Sequence, residues 1–216
     1  MRYLDLYTEI QRGTAAATLP GWARSVLGEV ADGRLPIDAV RHPLGFLCLP
    51  VERSGRLGVC LHLWSPEFTA ASTTTSQVHC HSWDLISFVL YGRITNVLAE
   101  VTTGATHRVF EVLSHGDRDE LRATGRTVGY APGRHEVYGQ GEVYTLPAGK
   151  FHSTRIPGSG EAATIALGNE TASDSDFSLG SLTLPSHDLL RQRYGIEETA
   201  LAARHAATRL TAAHAF

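Results

Sequence analysis

Two short segments of the chain place histidines at spacings that suit a shared metal ion. The first segment contains His79-Cys80-His81, and the second ends a strand at Pro147-Ala148-Gly149 and begins the next at His152. Residues i and i+2 of a β-strand face the same side, so His79 and His81 present both imidazoles together, whereas Cys80 faces away. If the two segments pair, three imidazoles converge, and imidazole is a good ligand for divalent transition metals.

The composition limits what such a site could serve. The chain has 216 residues, 43% of them hydrophobic, and a formal net charge of −3. These values predict one sizeable globular domain with terminal additions, no nucleic-acid partner and no membrane span. The three cysteines lack zinc-type spacing, and the N-terminal residues do not resemble a secretory signal. We therefore expect a cytoplasmic protein with reduced thiols.

The pattern of apolar residues and turn signals predicts three regions. Residues 1–45 read as two or three short helices with breaks at Gly13, Pro20-Gly21 and Gly33, and residues 46–170 read as a barrel of short strands. Residues 171–216 form the third region, with an exposed loop over 171–183 and helices over 185–194 and 197–215, the first capped by Ser186. The predicted strands are Leu57–Trp64, 78–90, 93–101, 106–113, 127–131, 136–138, 142–146, 152–156 and 162–167. The fold class is mainly β.

Both histidine segments resemble the paired signatures of the cupin superfamily. The second segment keeps every spacing of that family's glycine, proline, glycine and histidine motif with Gly141, Pro147, Gly149 and His152. The first matches its His-x-His, and Gly92 stands where the family's closing glycine is expected. The resemblance implies a cupin-type double-stranded β-helix, or jelly-roll, barrel that binds a metal through His79, His81 and His152. It also implies that the protein pairs into a homodimer.

The chain departs from the family pattern at two positions. Thr73 replaces the opening glycine, and Leu85 replaces the glutamate that usually serves as the fourth ligand. Three neutral histidines leave open coordination positions, an arrangement that suits the binding of substrate and dioxygen to ferrous iron. In this respect the chain is similar to the thiol dioxygenases, such as cysteine dioxygenase. Downstream the resemblance weakens, because the stretch 164–169 lacks their serine, histidine and tyrosine set, and Ile86 stands near the place of their crosslinking cysteine.

Several further residues are candidates for substrate binding or proton transfer. A cation for a substrate carboxylate could come from Lys150, the only lysine of the chain, or from Arg53 or Arg56 before the strand at residue 57. Tyr144 and His62 could face the barrel interior and serve as a base. The nearest carboxylate to the histidines is Asp84, which alternation places on the opposite strand face from His81. Its expected role is to anchor a turn or to hydrogen-bond an imidazole.

Three functions remain open from the sequence. The first is a mononuclear non-haem Fe(II) oxygenase that acts with O2 on a small thiol or amino acid such as L-cysteine, in a tailoring oxidation. The second is a metal-dependent isomerase, epimerase or lyase for a small carbonyl or sugar-like metabolite, with Ni, Zn or Mn as an alternative to iron. The third is a non-catalytic cupin that binds a small molecule. Oxygen uptake separates the first from the other two.

Overall fold

The structure is a computed structural model that describes residues 1–68, 73–170 and 175–214. Within these residues there are three helices and thirteen strands. The helices are α1 (Tyr3–Gln11), α2 (Ala15–Ala31) and α3 (Ile196–Ala213). The strands are β1 (Val40–His42), β2 (Phe46–Ser54), β3 (Leu57–Trp64), β4 (His79–Cys80), β5 (Trp83–Tyr91), β6 (Arg93–His115), β7 (Arg118–Gly139), β8 (Val143–Leu146), β9 (His152–Arg155), β10 (Ala162–Glu170), β11 (Asp176–Gly180), β12 (His187–Leu190) and β13 (Gln192–Arg193).

The strands form two antiparallel sheets. One has the order β13-β1-β2-β3-β10-β5-β8, and the other has the order β11-β4-β9-β6-β7-β12, with β11 also paired to β6. The predicted mainly β jelly-roll fold with helices at both ends of the chain is confirmed. Among the described residues, no helix combines the length and the apolar character that a membrane crossing requires.

Alternation along the strands of the first sheet separates two apolar cores. On β5, Phe88 and Leu90 belong to the core that α2 and α3 cover. Leu85 and Val89 point to the other face, where they join Tyr144 in the barrel interior. Trp83 packs against this same core, as expected for a residue two positions before Leu85 on the strand. The helices therefore cover one side of the sheet, and the barrel interior remains for the site.

The predicted helix over residues 185–194 is wrong, because this segment forms β12 and β13. β12 pairs with β7, and β13 pairs with β1. Ser186 does not cap a helix; its hydroxyl accepts a hydrogen bond from the backbone N–H of Ala123 at 2.9 Å. The loop predicted over 171–183 contains β11, which pairs with β4 and β6, and residues 171–174 lie outside the described part of the chain. Pairing with a distant strand outweighed local propensity here.

Other differences concern boundaries. The strand predicted over 78–90 is two strands in different sheets, β4 and β5, and His81 lies between them. The strands predicted over 93–101 and 106–113 are one strand, β6, and those over 127–131 and 136–138 belong to β7. The residues between these predicted strands resemble turns in the sequence. In the β6–β7 hairpin they are accommodated by shifts in the strand register. Pro20 lies inside α2 and does not break it, whereas Gly13 separates α1 from α2. β2 was not among the predicted strands.

The helix predicted over 197–215 corresponds to α3, and its last predicted residue lies outside the described part of the chain. The division of the chain at residues 45 and 170 stays a prediction. Both flanking segments contribute strands to the sheets, since β1 pairs with β2 and β11 pairs with β4.

Candidate metal centre

Three elements bring His79, His81 and His152 together. β4 and β9 pair so that His79 and His152 are direct cross-strand partners. His81 follows β4 in the short connection to β5. The imidazole centroids of His79 and His152 are 4.3 Å apart, and those of His79 and His81 are 4.8 Å apart. One ligand nitrogen from each ring lies within 4.8 Å of the other two, which suits three bonds of about 2.0–2.1 Å to one ion.

Backbone carbonyls orient two of these rings. The Nδ1 atom of His79 lies 3.0 Å from the carbonyl oxygen of Gln77, and that of His152 lies 3.1 Å from the carbonyl oxygen of Lys150. A carbonyl oxygen only accepts, so each Nδ1 carries the proton and donates it. The free lone pair is therefore on Nε2, which is the usual arrangement of a metal-binding histidine.

Burial keeps the three imidazoles neutral. Desolvation lowers the pKa of His79 and of His81 well below the usual value, and the neighbouring imidazoles lower it further. For His152, burial and the proximity of His79 lower the pKa to about 3. Three neutral rings face one another at physiological pH, and the neutral form is the one that binds a metal.

Hydrogen bonds to the backbone position the segment that carries His81. The carbonyl oxygen of His81 accepts from the N–H of Gly149 at 2.8 Å, and the N–H of Ser82 donates to the Asp176 carboxylate at 2.6 Å. The His81 ring stacks on Trp83 with their centroids 4.2 Å apart. These contacts restrain both the backbone and the ring of the histidine that lies outside the strands.

Asp84 anchors the turn that precedes His152. Its carboxylate accepts a hydrogen bond from the N–H of Ala148 at 2.9 Å, which confirms the expectation that it anchors a turn. In the same turn Gly149 has a φ of +74°, a conformation that costs a residue with a Cβ atom of order 1 kcal/mol or more. The Pro147-x-Gly149 signature thus has a local cause: it makes the turn that aligns β9 with β4.

The three histidines line a cavity of about 380 Å³ in the barrel interior. Its apolar wall includes Leu85, which stands where a glutamate ligand is expected from the resemblance. Other apolar residues that line the cavity are Phe46, Trp64, Trp83 and Leu146. The polar lining residues include Arg53, Arg56, His62, Tyr144 and Thr154. A cavity of this size accommodates a small molecule and excludes a polymer.

The three candidate cations differ in where their side chains lie. Arg53 lines the cavity, and its guanidinium lies 3.8 Å from the sulfur of Cys60. Arg56 also lines the cavity, but its guanidinium donates to the carbonyl oxygen of Glu170. The side chain of Lys150 is exposed and is not among the cavity-lining residues. Lys150 contributes its carbonyl oxygen, through the hydrogen bond with His152.

Tyr144 and His62 both line the cavity. Tyr144 is buried and stacks on Tyr138 with their centroids 4.9 Å apart. Burial raises the pKa of Tyr144 to about 12, although polar contacts with Ser87 and Asn96 oppose the rise. The Tyr144 hydroxyl is therefore a neutral donor at physiological pH. His62 packs against Phe46, with ring centroids 4.5 Å apart.

The cavity also contains residues that the sequence did not single out. Arg191 donates to the Asp119 carboxylate at 3.0 Å, and both line the cavity together with His42. Arg191 belongs to the segment predicted to be a helix, so no sequence signal placed it here. Cys48 and Cys60 are also lining residues. A hydrogen bond from the Cys48 thiol lowers the pKa of Cys60 to about 4.

No protein-family model matches the chain, and the search of curated proteins gave no match. Solved structures with a similar fold include a cupin superfamily protein from Desulfitobacterium hafniense DCB-2, which is 11% identical with a TM-score of 0.35 over 58% of this chain and 78% of that one. The polyketide cyclase RemF from Streptomyces resistomycificus is 16% identical with a TM-score of 0.37 over 70% and 83%. Hydroquinone 1,2-dioxygenase from Sphingomonas sp. TTNP3 is 14% identical with a TM-score of 0.30 over 57% and 65%.

Proposed function

We propose that this protein is a mononuclear non-haem iron oxygenase that acts on a small thiol or amino acid such as L-cysteine. The observation that carries the proposal is the convergence of His79, His81 and His152 in a cavity that Leu85 also lines. A leucine cannot ligate, so a metal ion held by the three histidines would keep coordination positions open for other ligands. When bound, a ferrous ion would supply positions at which substrate and dioxygen bind side by side.

The protein's own residues would bind and orient the substrate. In the proposed arrangement the guanidinium of Arg53 pairs with the substrate carboxylate, since its planar fork can donate two hydrogen bonds to a carboxylate. Trp83 and Leu85 exclude water from the metal-facing end of the pocket. The neutral hydroxyl of Tyr144 donates a hydrogen bond to a polar group of the substrate. Its raised pKa makes it a poor general base.

Metal content and oxygen consumption test this proposal. The protein is purified without oxygen, its metals are measured, and oxygen uptake is followed with a panel of small thiols and amino acids. We expect about one iron per chain and uptake that depends on one class of substrate. A metal-loaded protein that consumes no oxygen with any of them, but converts a carbonyl compound, would favour the isomerase or lyase alternative instead.

A substitution at Leu85 tests whether the open coordination position matters. Leu85→Glu introduces the missing carboxylate, so we expect the variant to retain metal at least as well as the wild type and to lose oxygen uptake. Leu85→Ile is the matched control, because it keeps an apolar side chain of equal volume and should retain activity. A fully active glutamate variant would contradict the proposal that this position binds substrate or dioxygen.

A further inference from the structure

A second group of metal-binding side chains lies on a different wall of the same cavity. It consists of Cys48 on β2 and of Cys60 and His62 on β3, and one ligand atom from each residue lies within 4.8 Å of the other two. We propose that these three residues form a second metal site, which binds a thiophilic divalent ion such as Zn²⁺. This site does not depend on the identity of the metal at the three histidines.

The strand register brings the three side chains to one face. Cys48 is the direct cross-strand partner of His62, and Cys60 precedes His62 by two residues on the same strand. All three therefore point into the cavity. The intervening residues Leu47, Leu49 and Leu61 point to the opposite face, where they pack in the core beneath the helices. The strand register therefore brings the three ligand side chains together on one face.

The same register makes a metal bridge more suitable than a disulfide. Cys60 pairs with Pro50 and not with Cys48, so the two cysteines are diagonal neighbours. Diagonal positions in an antiparallel pair have Cα atoms roughly 7–8 Å apart, beyond the usual span of a disulfide. Two thiolates on a tetrahedral zinc ion are about 3.8 Å apart, because each Zn–S bond is about 2.3 Å. The ligand atoms of the two cysteines lie within 4.8 Å of each other, which is compatible with this second geometry.

The surroundings of the cluster support a thiolate site. The guanidinium of Arg53 lies 3.8 Å from the Cys60 sulfur and stabilises its anionic form, as neighbouring hydrogen-bond donors do at other metal sites. The ring of Phe46 packs on His62 and restrains its orientation. Two sulfurs and one imidazole are a soft donor set that favours zinc over the harder ions magnesium, calcium and manganese. The fourth position faces the cavity, so a substrate group or water can occupy it.

Cobalt binding to the reduced protein tests this proposal, with Co²⁺ as a spectroscopic substitute for Zn²⁺. Wild-type protein should bind two equivalents of Co²⁺ and show the thiolate-to-cobalt charge-transfer absorption. The Cys48→Ser/Cys60→Ser variant should bind one equivalent without that absorption. Cys80→Ser is the matched control and should keep both, because Cys80 packs in a separate core on the second sheet. His79→Ala/His152→Ala should lose one equivalent and keep the absorption.

Two results would overturn the proposal. One is wild-type protein that shows no thiolate absorption at saturating Co²⁺, a measurement that needs no variant to fold. The other is absorption of wild-type intensity in the Cys48→Ser/Cys60→Ser variant. A failed thiolate site leaves the three-histidine site untouched, because the His79→Ala/His152→Ala variant reports on that site separately.

Discussion

At the scale of single residues, two carbonyl oxygens determine how the histidines of the candidate centre can bind a metal. Gln77 and Lys150 accept the Nδ1 protons of His79 and His152, so both rings keep Nε2 free for a metal. Replacement of either ring removes one ligand nitrogen from the group of three.

We therefore expect His81→Ala and His152→Ala to abolish retention of the iron proposed for this centre. Each variant leaves two ligands, which are too few for a stable site. The measurement is iron content after anaerobic purification. His115→Ala is the control, because this imidazole is exposed on the β6–β7 hairpin and pairs only weakly with Glu120 at 3.6 Å. A stoichiometric iron content in either site variant would show that the iron centre lies elsewhere.

In the proposed function, Arg53 is the cation that pairs with the substrate carboxylate. We expect Arg53→Met to raise KM by roughly 10–100-fold with unchanged iron content, since a charge-assisted hydrogen bond is worth about 1.5–3 kcal/mol. Arg56→Met and Lys150→Met should change KM little, because Arg56 already donates to Glu170 and the Lys150 side chain is exposed. Steady-state kinetics on the three variants decides between them. KM values close to that of the wild type in all three variants would point to an uncharged substrate.

At the scale of elements, the connection between β5 and β6 depends on the absence of a side chain at Gly92. Its φ is +79°, and a Cβ atom there would lie 2.3 Å from the carbonyl oxygen of Glu161, just before β10. The backbone at the start of β10 is held by its pairing in the sheet, so it cannot move away from an added methyl group without a loss of stability. Both the conformation and the space at this position thus require glycine.

A pair of alanine variants separates these two effects. Gly116 also has a positive φ, +63°, but no atom lies within 4 Å of its ideal Cβ position. We expect Gly116→Ala to cost about 1–2 kcal/mol of unfolding free energy from conformation alone. Gly92→Ala should cost clearly more, because it adds the clash. Urea unfolding of both variants measures the difference, and equal costs would mean that the sheet relaxes around the methyl group.

At the scale of the whole molecule, neutral buried histidines link stability to pH. Burial and the nearby His62 lower the pKa of His42 to about 3, although Asp119 opposes the effect. The unfolded chain binds a proton at this ring below a pH of about 6.5, whereas the folded protein does not. Stability should therefore fall as the pH drops from about 6.5 toward 3, by at most about 1.4 kcal/mol per pH unit for this group.

His42→Asn tests this linkage in protein treated with a chelator. The Nδ1 of His42 accepts a hydrogen bond from the N–H of Leu44, and an asparagine oxygen can replace that acceptor without titrating. Between pH 7 and 5 the variant should lose less unfolding free energy than the wild type. His115→Asn serves as the exposed control and should follow the wild type. Identical pH profiles for His42→Asn and wild type would contradict the linkage.

The homodimer and the cytoplasmic location stay predictions.

Local signals in the sequence were sufficient for much of this protein. The proline–glycine turn before His152 depends on residues close in the chain, and it was predicted correctly. The i, i+2 spacing of His79 and His81 predicted one shared strand, but His81 lies just beyond β4, in the connection to β5. The helices predicted within residues 1–45 and over 197–215 also follow from local periodicity. A strand's two faces and a turn's backbone angles are properties of a few consecutive residues, so they can be read without the fold.

Only the tertiary structure decided which distant residues meet. Arg191 faces the cavity because its segment pairs with β7 and β1, not because of its own helical propensity. The register of β2 with β3 brings Cys48 to His62 and Cys60, although no cysteine spacing in the sequence indicates a metal site. The choice of Arg53 over Lys150 likewise depends on which side chain reaches the cavity. Strand pairing and register are set by the packing of the whole barrel, and that packing is not encoded in any short segment.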